Sequence, residues 1–504
     1  MEFTRSHACL GYYSYMKTPS NIQLDKHADE PVPELVMEAI REVEEAEIAN
    51  DQGGSPDEPV DVTVSDAPSS TSEAEPEAEP AHPTILIMHS SVGSGHSSAA
   101  EAVGQMLEHM RDTGEPAFPD GSPLPPDTRI LVLDSLDYGR IHFNGDRWAS
   151  SFTGATRPWY DLTWRYTFTG RLLWGGGSGI STVMFPRFTK LVREVKPMAV
   201  IATHIMGANI AVGARMLTKQ NFPIVSVPTD YETEGLWPHR FTDAFCVGTE
   251  YMAETLRARK IPEEKICITG IPTRTDFLNE YDTAEAREEF GLPQDKKVVL
   301  VLAGAKLPAP YRLFRERIDQ TLPYLHRYTD MHFVIIAGSD QEYAGQVRRR
   351  VRELGLPNVT VLDYCNQMAK LMCAADLAIC KAGGLTVTEC LCARTPMILV
   401  GRAYGQEKAN VNMLTGNGAA MHVTTPRELR SRLDRFSANP KLLDSMLFNA
   451  NLLRKPNAAR DIARITLALA ADTPAEGTTR AWHRRLPGLY LMKLYIGDRP
   501  AHIR

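Results

Sequence analysis

Residues 376–412 read Asp-Leu-Ala-Ile-Cys-Lys-Ala-Gly-Gly-Leu-Thr-Val-Thr-Glu-Cys-Leu-Cys-Ala-Arg-Thr-Pro-Met-Ile-Leu-Val-Gly-Arg-Ala-Tyr-Gly-Gln-Glu-Lys-Ala-Asn-Val-Asn. Leu377 to Cys380 is a short apolar run of the kind a parallel strand makes when both its faces are buried. Gly383 and Gly384 break it, Thr386 to Cys392 reads as a helix, and Thr395-Pro396 ends that helix. Met397 to Val400 is the next strand. A strand, a Gly-Gly turn and a helix N-terminus together form an anion site, because free N–H groups and the helix dipole point at the ligand. Glycines let a phosphate approach the backbone closely. Glu389, on the first helical turns, is placed to accept both hydroxyls of a ribose. Gly405-Gln406-Glu407 follows the second strand, with Asn410 one turn later, so polar groups cluster at the strand ends where open α/β sheets bind ligands. The competing reading is an ordinary βαβ turn.

The same alternation of apolar runs and helical patterns extends in both directions. Upstream, Ile85 to Met88, Arg129 to Leu133, Ala199 to Ala202, Ile224 to Val227 and Phe245 to Val247 read as strands, and Ser97 to Met110 as a helix. Ile266 to Pro272 closes this half. Downstream, Lys297 to Ala303, His332 to Ala337 and Val359 to Leu362 precede the opening stretch, and helices follow Pro426 to about Ala471. Alternation of this kind predicts two doubly wound, Rossmann-like α/β domains facing a cleft, at 83–272 and 273–471. A Gly-x-Gly after the first strand, at Gly93 and Gly95, is half of a dinucleotide fingerprint. The third glycine is absent, with Ser98 in its place, and Asp134 is the best available ribose partner.

Composition narrows the function classes. The 504 residues are 43% apolar and 23% charged, as in a globular protein. No run of about 18 apolar residues predicts a transmembrane helix, and the first residues do not read as a secretory signal. Most of the eight cysteines lie in apolar strand-like or helical runs with no paired CxxC spacing, which suits reduced thiols in a cytoplasmic protein. The net charge of −7 conceals an asymmetry: residues 29–79 hold 17 acids against the single base Arg41, leaving the remainder at about +9. Residues 1–82, rich in Gly, Ser, Pro and Glu, read as a disordered acidic tail. A cationic body without nucleic-acid motifs suits an anionic membrane surface or a diphosphate ligand. Tyr138 to Lys190 carries Trp148, Trp159, Trp164 and Trp174, interleaved with Arg165 and other arginines, a mixture that fits a bilayer interface as well as an aromatic core. The last segment, 472–504, is basic and aromatic and reads as a second surface-docking element.

Lys381-Ala382-Gly383-Gly384-Leu385-Thr386, then Glu389, Pro396, Gly405-Gln406-Glu407 and Asn410, resembles the nucleotide-sugar signature of one glycosyltransferase family. It holds monogalactosyldiacylglycerol synthases and processive diacylglycerol glucosyltransferases and is related to the peptidoglycan N-acetylglucosaminyl transferase. The resemblance spans about residues 84–470. It implies the GT-B architecture and an inverting transfer of galactose or glucose from a UDP-sugar to a diacylglycerol-type lipid, by a peripheral membrane protein. Gly383, Gly384 and Thr386 would bind the diphosphate, Glu389 the ribose, and Gln406, Glu407 and Asn410 the sugar. His96 would be the catalytic base, with Asp230 the next candidate. Trp148, Trp159, Trp164 and Arg165 would shape the acceptor site at the membrane. No metal and no other cofactor would be needed, since no Asp-x-Asp pair lies near the diphosphate. The sequence departs from the family pattern at Ile205, at Glu234 and in the stiff Gly304-Ala305-Lys306-Leu307-Pro308-Ala309-Pro310 loop. Another acceptor, such as a polyprenyl lipid or a small hydroxylated molecule, and a non-catalytic nucleotide-sugar binder stay open at this point.

Overall fold

The computed structural model describes residues 82–91, 93–140, 184–233, 237–238, 241–304 and 308–473. In the first half the chain runs β1 (Thr84–His89), α1 (Ser94–Thr113), β2 (Arg129–Asp134), α2 (Pro186–Val195), β3 (Ala199–Ala202), α3 (Ile205–Thr218), β4 (Ile224–Ser226), β5 (Ala244–Cys246), α4 (Glu250–Ala258) and β6 (Ile266–Cys267). The second half opens with α5 (Thr283–Glu289), β7 (Lys297–Leu302), α6 (Pro308–Thr321), β8 (Met331–Ile336), α7 (Gln341–Glu353), β9 (Val359–Leu362) and α8 (Met368–Cys373). It continues with β10 (Leu377–Cys380), α9 (Gly384–Cys392), β11 (Met397–Val400), α10 (Gln406–Gly416), β12 (Ala420–Val423), α11 (Pro426–Ala438), α12 (Lys441–Leu453) and α13 (Ala458–Ala471).

Each half is a six-stranded parallel sheet, in the order β2-β1-β3-β4-β5-β6 and β12-β11-β10-β7-β8-β9. The central strands are the continuous apolar runs of the sequence: Ile85 to Met88 and Leu377 to Cys380 are almost wholly buried, as strands covered by helices on both faces must be. Strand order reverses between β1 and β3 in one sheet and between β7 and β10 in the other. At such a reversal the connections leave toward opposite faces and open a crevice beyond the strand carboxyl ends. The turn into α1 lies at the first crevice and Lys381-Ala382-Gly383-Gly384 at the second.

Two differences from the sequence reading bear on the site and on the domain boundary. Helix α1 starts at Ser94, three residues before Ser97, with Gly93 at φ 105 just outside it, so His96 sits in the first helical turn and not on a loop. Ser94 and Gly95 are weak helix formers, which is why propensity hides this start. The second difference is α13. Grouped by sequence with the second half, it packs into the first: Ala459, Ile462, Ala463 and Leu467 share a core with Ile85, Ile87, Val103 and Leu107. Burying Ile462 and Leu467 there contributes about 1.5–3 kcal/mol each. The chain therefore crosses between the halves twice. At Gly270, which holds φ +94, a Cβ would lie 2.6 Å from the Cβ of Lys455, so the two crossings pack tightly against each other. Residues 1–81, the tryptophan-rich stretch 141–183, Glu234, Lys306 and residues 474–504 lie outside the described residues.

Candidate active site

His96 is held from both sides. Its Nδ1 lies 3.0 Å from the carbonyl of Thr203 and 2.8 Å from the hydroxyl of Thr229, and the Thr203 hydroxyl donates back to the His96 carbonyl at 2.8 Å. A carbonyl oxygen can only accept, so Nδ1 carries the hydrogen and the lone pair resides on Nε2. Burial lowers the imidazole pKa, against the opposing pull of the Asp230 carboxylate. The ring is thus neutral near pH 7, with one nitrogen able to take a proton. It does not cap α1: the N-cap is Gly93, and no side chain caps the helix. His204 stands edge-on to it, with ring centroids 4.5 Å apart. Its own Nδ1 accepts from Met206 N at the start of α3, and burial holds it well below the usual histidine value.

The loop after β4 carries Thr229, Asp230 and Tyr231 into the seam between the halves. Asn410 Nδ2 donates to Asp230 Oδ1 at 2.8 Å and to the Ala382 carbonyl at 2.9 Å, while its Oδ1 accepts from Tyr231 N at 2.8 Å. The Tyr231 hydroxyl meets Thr388 at 2.9 Å. Burial raises the Asp230 pKa, while Asn410 and His96 draw it down. This corrects the reading of Asn410 as a sugar contact: fully buried, with both amide ends engaged, it fastens the two halves together. Gly384, expected at the diphosphate, is also bound up in the seam. A Cβ there would fall 2.0 Å from the Thr229 carbonyl and 2.6 Å from Asp230 Oδ1, so the glycine is demanded by the seam. Gly383, by contrast, faces open space at φ −75. Neither crowding nor backbone conformation requires a glycine there, and its missing side chain leaves the α9 N-terminus uncovered. Across the seam, Gly95 of α1 approaches Leu385 of α9, 3.8 Å from where its Cβ would be. The first turn of α1, with His96, therefore faces the first turn of α9.

The other residues expected to bind a donor surround that turn. Glu389 is half-buried on α9, and among the described residues no hydrogen bond engages its carboxylate. Burial pushes it up to about 7, with Arg274 pulling down and Asp276 pushing up. Arg274 Nε and Asp276 Oδ1 are themselves buried without hydrogen-bond partners. Burial raises the pKa of the Tyr311 phenol, with the Thr386 side chain drawing it down. Gln406 and Glu407 open α10, and Glu407 is ion-paired with Lys381. Sequence reasoning missed Thr203, Thr229, Arg274 and Tyr311. Arg274 carried one signal, standing two residues after Pro272 where the chain enters the second half. Asp134, weighed as a dinucleotide ribose partner, accepts from Leu136 N and Ser91 N and so pins local backbone. Trp148, Trp159, Trp164 and Arg165 lie outside the described residues. Within the described residues no group of three or more His, Cys, Asp and Glu side chains is placed to hold a metal, and no helix is long and apolar enough to cross a membrane.

Comparison with known proteins agrees with this layout. Residues 127–273 match the family model for monogalactosyldiacylglycerol (MGDG) synthase, and residues 298–462 the glycosyltransferase family 28 C-terminal domain. A processive diacylglycerol beta-glucosyltransferase of Bacillus licheniformis is 25% identical over 382 residues, covering 75% of this chain and 93% of that protein. Its Bacillus subtilis namesake is 27% identical over 276 residues, 55% of this chain and 70% of the other. A UDP-N-acetylglucosamine–N-acetylmuramyl-(pentapeptide) pyrophosphoryl-undecaprenol N-acetylglucosamine transferase of Acetivibrio thermocellus is 25% identical over 295 residues, 55% of this chain and 74% of the other.

Proposed function

We propose that this glycosyltransferase, whose residues 127–273 match the MGDG synthase model and 298–462 the family 28 C-terminal domain, moves a hexose from a UDP-sugar to a diacylglycerol-type lipid hydroxyl with inversion at the anomeric carbon. The donor lies along α9, its ribose hydroxyls on the Glu389 carboxylate and its diphosphate over Gly383. Gln406 and Glu407 face the sugar. The acceptor oxygen attacks the anomeric carbon from the side of α1 and gives its proton to His96 Nε2. The bond from that carbon to the β-phosphate oxygen breaks, and its electron pair leaves with UDP. The positive end of α9 stabilises that charge without a divalent cation.

The single observation that carries this reading is the meeting of two first turns, α9 with its uncovered N-terminus and α1 with a neutral histidine whose proton is fixed on the far nitrogen. A lipid acceptor brings the protein to a membrane from the cytoplasmic side. The cationic body, the stretch 138–190 and the basic 472–504 segment give it an anionic surface to rest on. The test is product analysis with UDP-glucose and UDP-galactose on vesicles of diacylglycerol and anionic phospholipid. Glycosyl-diacylglycerol of inverted linkage is expected. Transfer to a polyprenyl lipid with diacylglycerol left untouched, or UDP-sugar binding without any product, would overturn it.

A further inference from the structure

The second domain has two glycine-bearing loops at its crevice, one after β7 and one after β10. In the first, the described glycine is taken up by packing. Gly304 lies two residues beyond β7, and a Cβ there would lie 2.7 Å from both N and Cα of Gly338, so the missing side chain is consumed by close packing just past β8. On the β10 side a described cation is at hand for a bound diphosphate. Lys381 stands there, between the end of β10 and the uncovered turn at Gly383. Its side chain is 17% exposed and is ion-paired with Glu407, 13% exposed, in the first turn of α10. The ammonium also lies 5.8 Å from the centroid of the Tyr311 ring. The cation is therefore held between the N-terminal turns of two helices, both of which favour anions.

We infer that Lys381 is the cation that meets the donor's diphosphate, and that Glu407 holds it in place until the donor seats. This rests on the reading of the β10–α9 turn as the donor site. In the free protein Lys381 and Glu407 cancel, which avoids a lone charge at a largely buried position. A diphosphate over Gly383 offers Lys381 an alternative anion within reach of its flexible stem. Glu407 is then released to accept from a sugar hydroxyl, so phosphate binding and sugar reading are coupled by one exchange of partner. When the bond to the sugar breaks, the β-phosphate gains a further negative charge, and Lys381 stabilises it more than it stabilised the ground state, which is the condition for accelerating the step.

The experiment is calorimetric titration of uridine, UMP and UDP into the full chain and into Lys381→Met, Glu407→Gln and the double variant. Lys381→Met should weaken UDP by about tenfold to a hundredfold, the range of a charge-assisted contact, UMP by less, and uridine by under about twofold. Glu407→Gln should bind UDP as well as wild type or better, since the competing carboxylate is gone, while turnover with the UDP-sugar falls. The double variant should recover the unfolding midpoint lost by Lys381→Met but not its UDP affinity. Equal UDP affinity in wild type and Lys381→Met would overturn the inference and leave the donor site standing. So would equal losses for all three ligands, which would mark Lys381 as a structural partner of Glu407. Absence of uridine and UDP binding to wild type would instead remove the donor reading itself, and this inference with it.

Discussion

Asn410→Ala should destabilise the protein far more than a surface change, because Asn410 is a fastening between two domains. Truncation removes the bonds to Asp230 Oδ1 and to the Ala382 carbonyl, and strips Tyr231 N of its acceptor. Each neutral bond contributes about 1 kcal/mol and a charged one about 1.5–3 kcal/mol, while a stranded buried N–H costs about 1–3 kcal/mol. Discounting Asp230 for its partial exposure, and allowing that the losses are not additive, about 3–5 kcal/mol is expected, a large share of a typical domain's 5–15 kcal/mol. Urea unfolding followed by tryptophan fluorescence and far-UV dichroism measures it. Asn410→Asp should be as damaging, since it keeps the acceptor for Tyr231 N but sets a second carboxylate against Asp230. A loss under about 1 kcal/mol in Asn410→Ala, together with a selective loss of UDP-sugar over UDP affinity, would return the residue to sugar recognition and refute the fastening role.

Three further outcomes follow from the same geometry. Gly384→Ala should open the seam and lower the unfolding midpoint, because its Cβ would fall 2.0 Å from the Thr229 carbonyl, whereas Gly383→Ala, facing open space, should fold as wild type and weaken UDP; the reverse ranking in thermal scans would contradict the packing argument. UDP affinity should be fully present above about pH 7 and fall by about tenfold per unit as pH drops below it, since ribose hydroxyls donate to the ionised form of Glu389, whose carboxyl is pushed up to about 7; Glu389→Gln should bind weakly at every pH, and an unchanged slope in that variant would exonerate Glu389. Turnover should survive EDTA, and complete loss restored by added magnesium would show that the α9 N-terminus does not suffice.

The parallel strands were legible in the sequence because a strand covered on both faces has to be a continuous apolar run, and β3, β9, β10 and β11 start and stop where those runs do. The β10–α9 turn was legible for a related reason: a strand followed by two glycines and a helix start admits few geometries. What each polar residue does there was harder to read. Gly384 and Asn410 carry the same residue types whether they face a ligand or another domain, and only the approach of the β4 loop decides between them. Thr203 and Thr229 have no spacing signature, since a tautomer is fixed by a carbonyl and a hydroxyl that come together only after β3 and β4 are placed. Helix α13 shows an apolar face in the sequence, but periodicity does not say which of two sheets that face will cover.

The most direct test of the account is the turnover of His96→Asn. The asparagine amide can still donate to the Thr203 carbonyl from the place of Nδ1, so the first turn of α1 keeps its tether, but nothing replaces the lone pair of Nε2. A general base contributes about 10²–10⁴ in rate. Glycolipid formation measured at saturating UDP-sugar should fall by that order, with UDP affinity held within about twofold and the unfolding midpoint unchanged. A variant that turns over within a few-fold of wild type would contradict the account and leave Asp230 as the group to test.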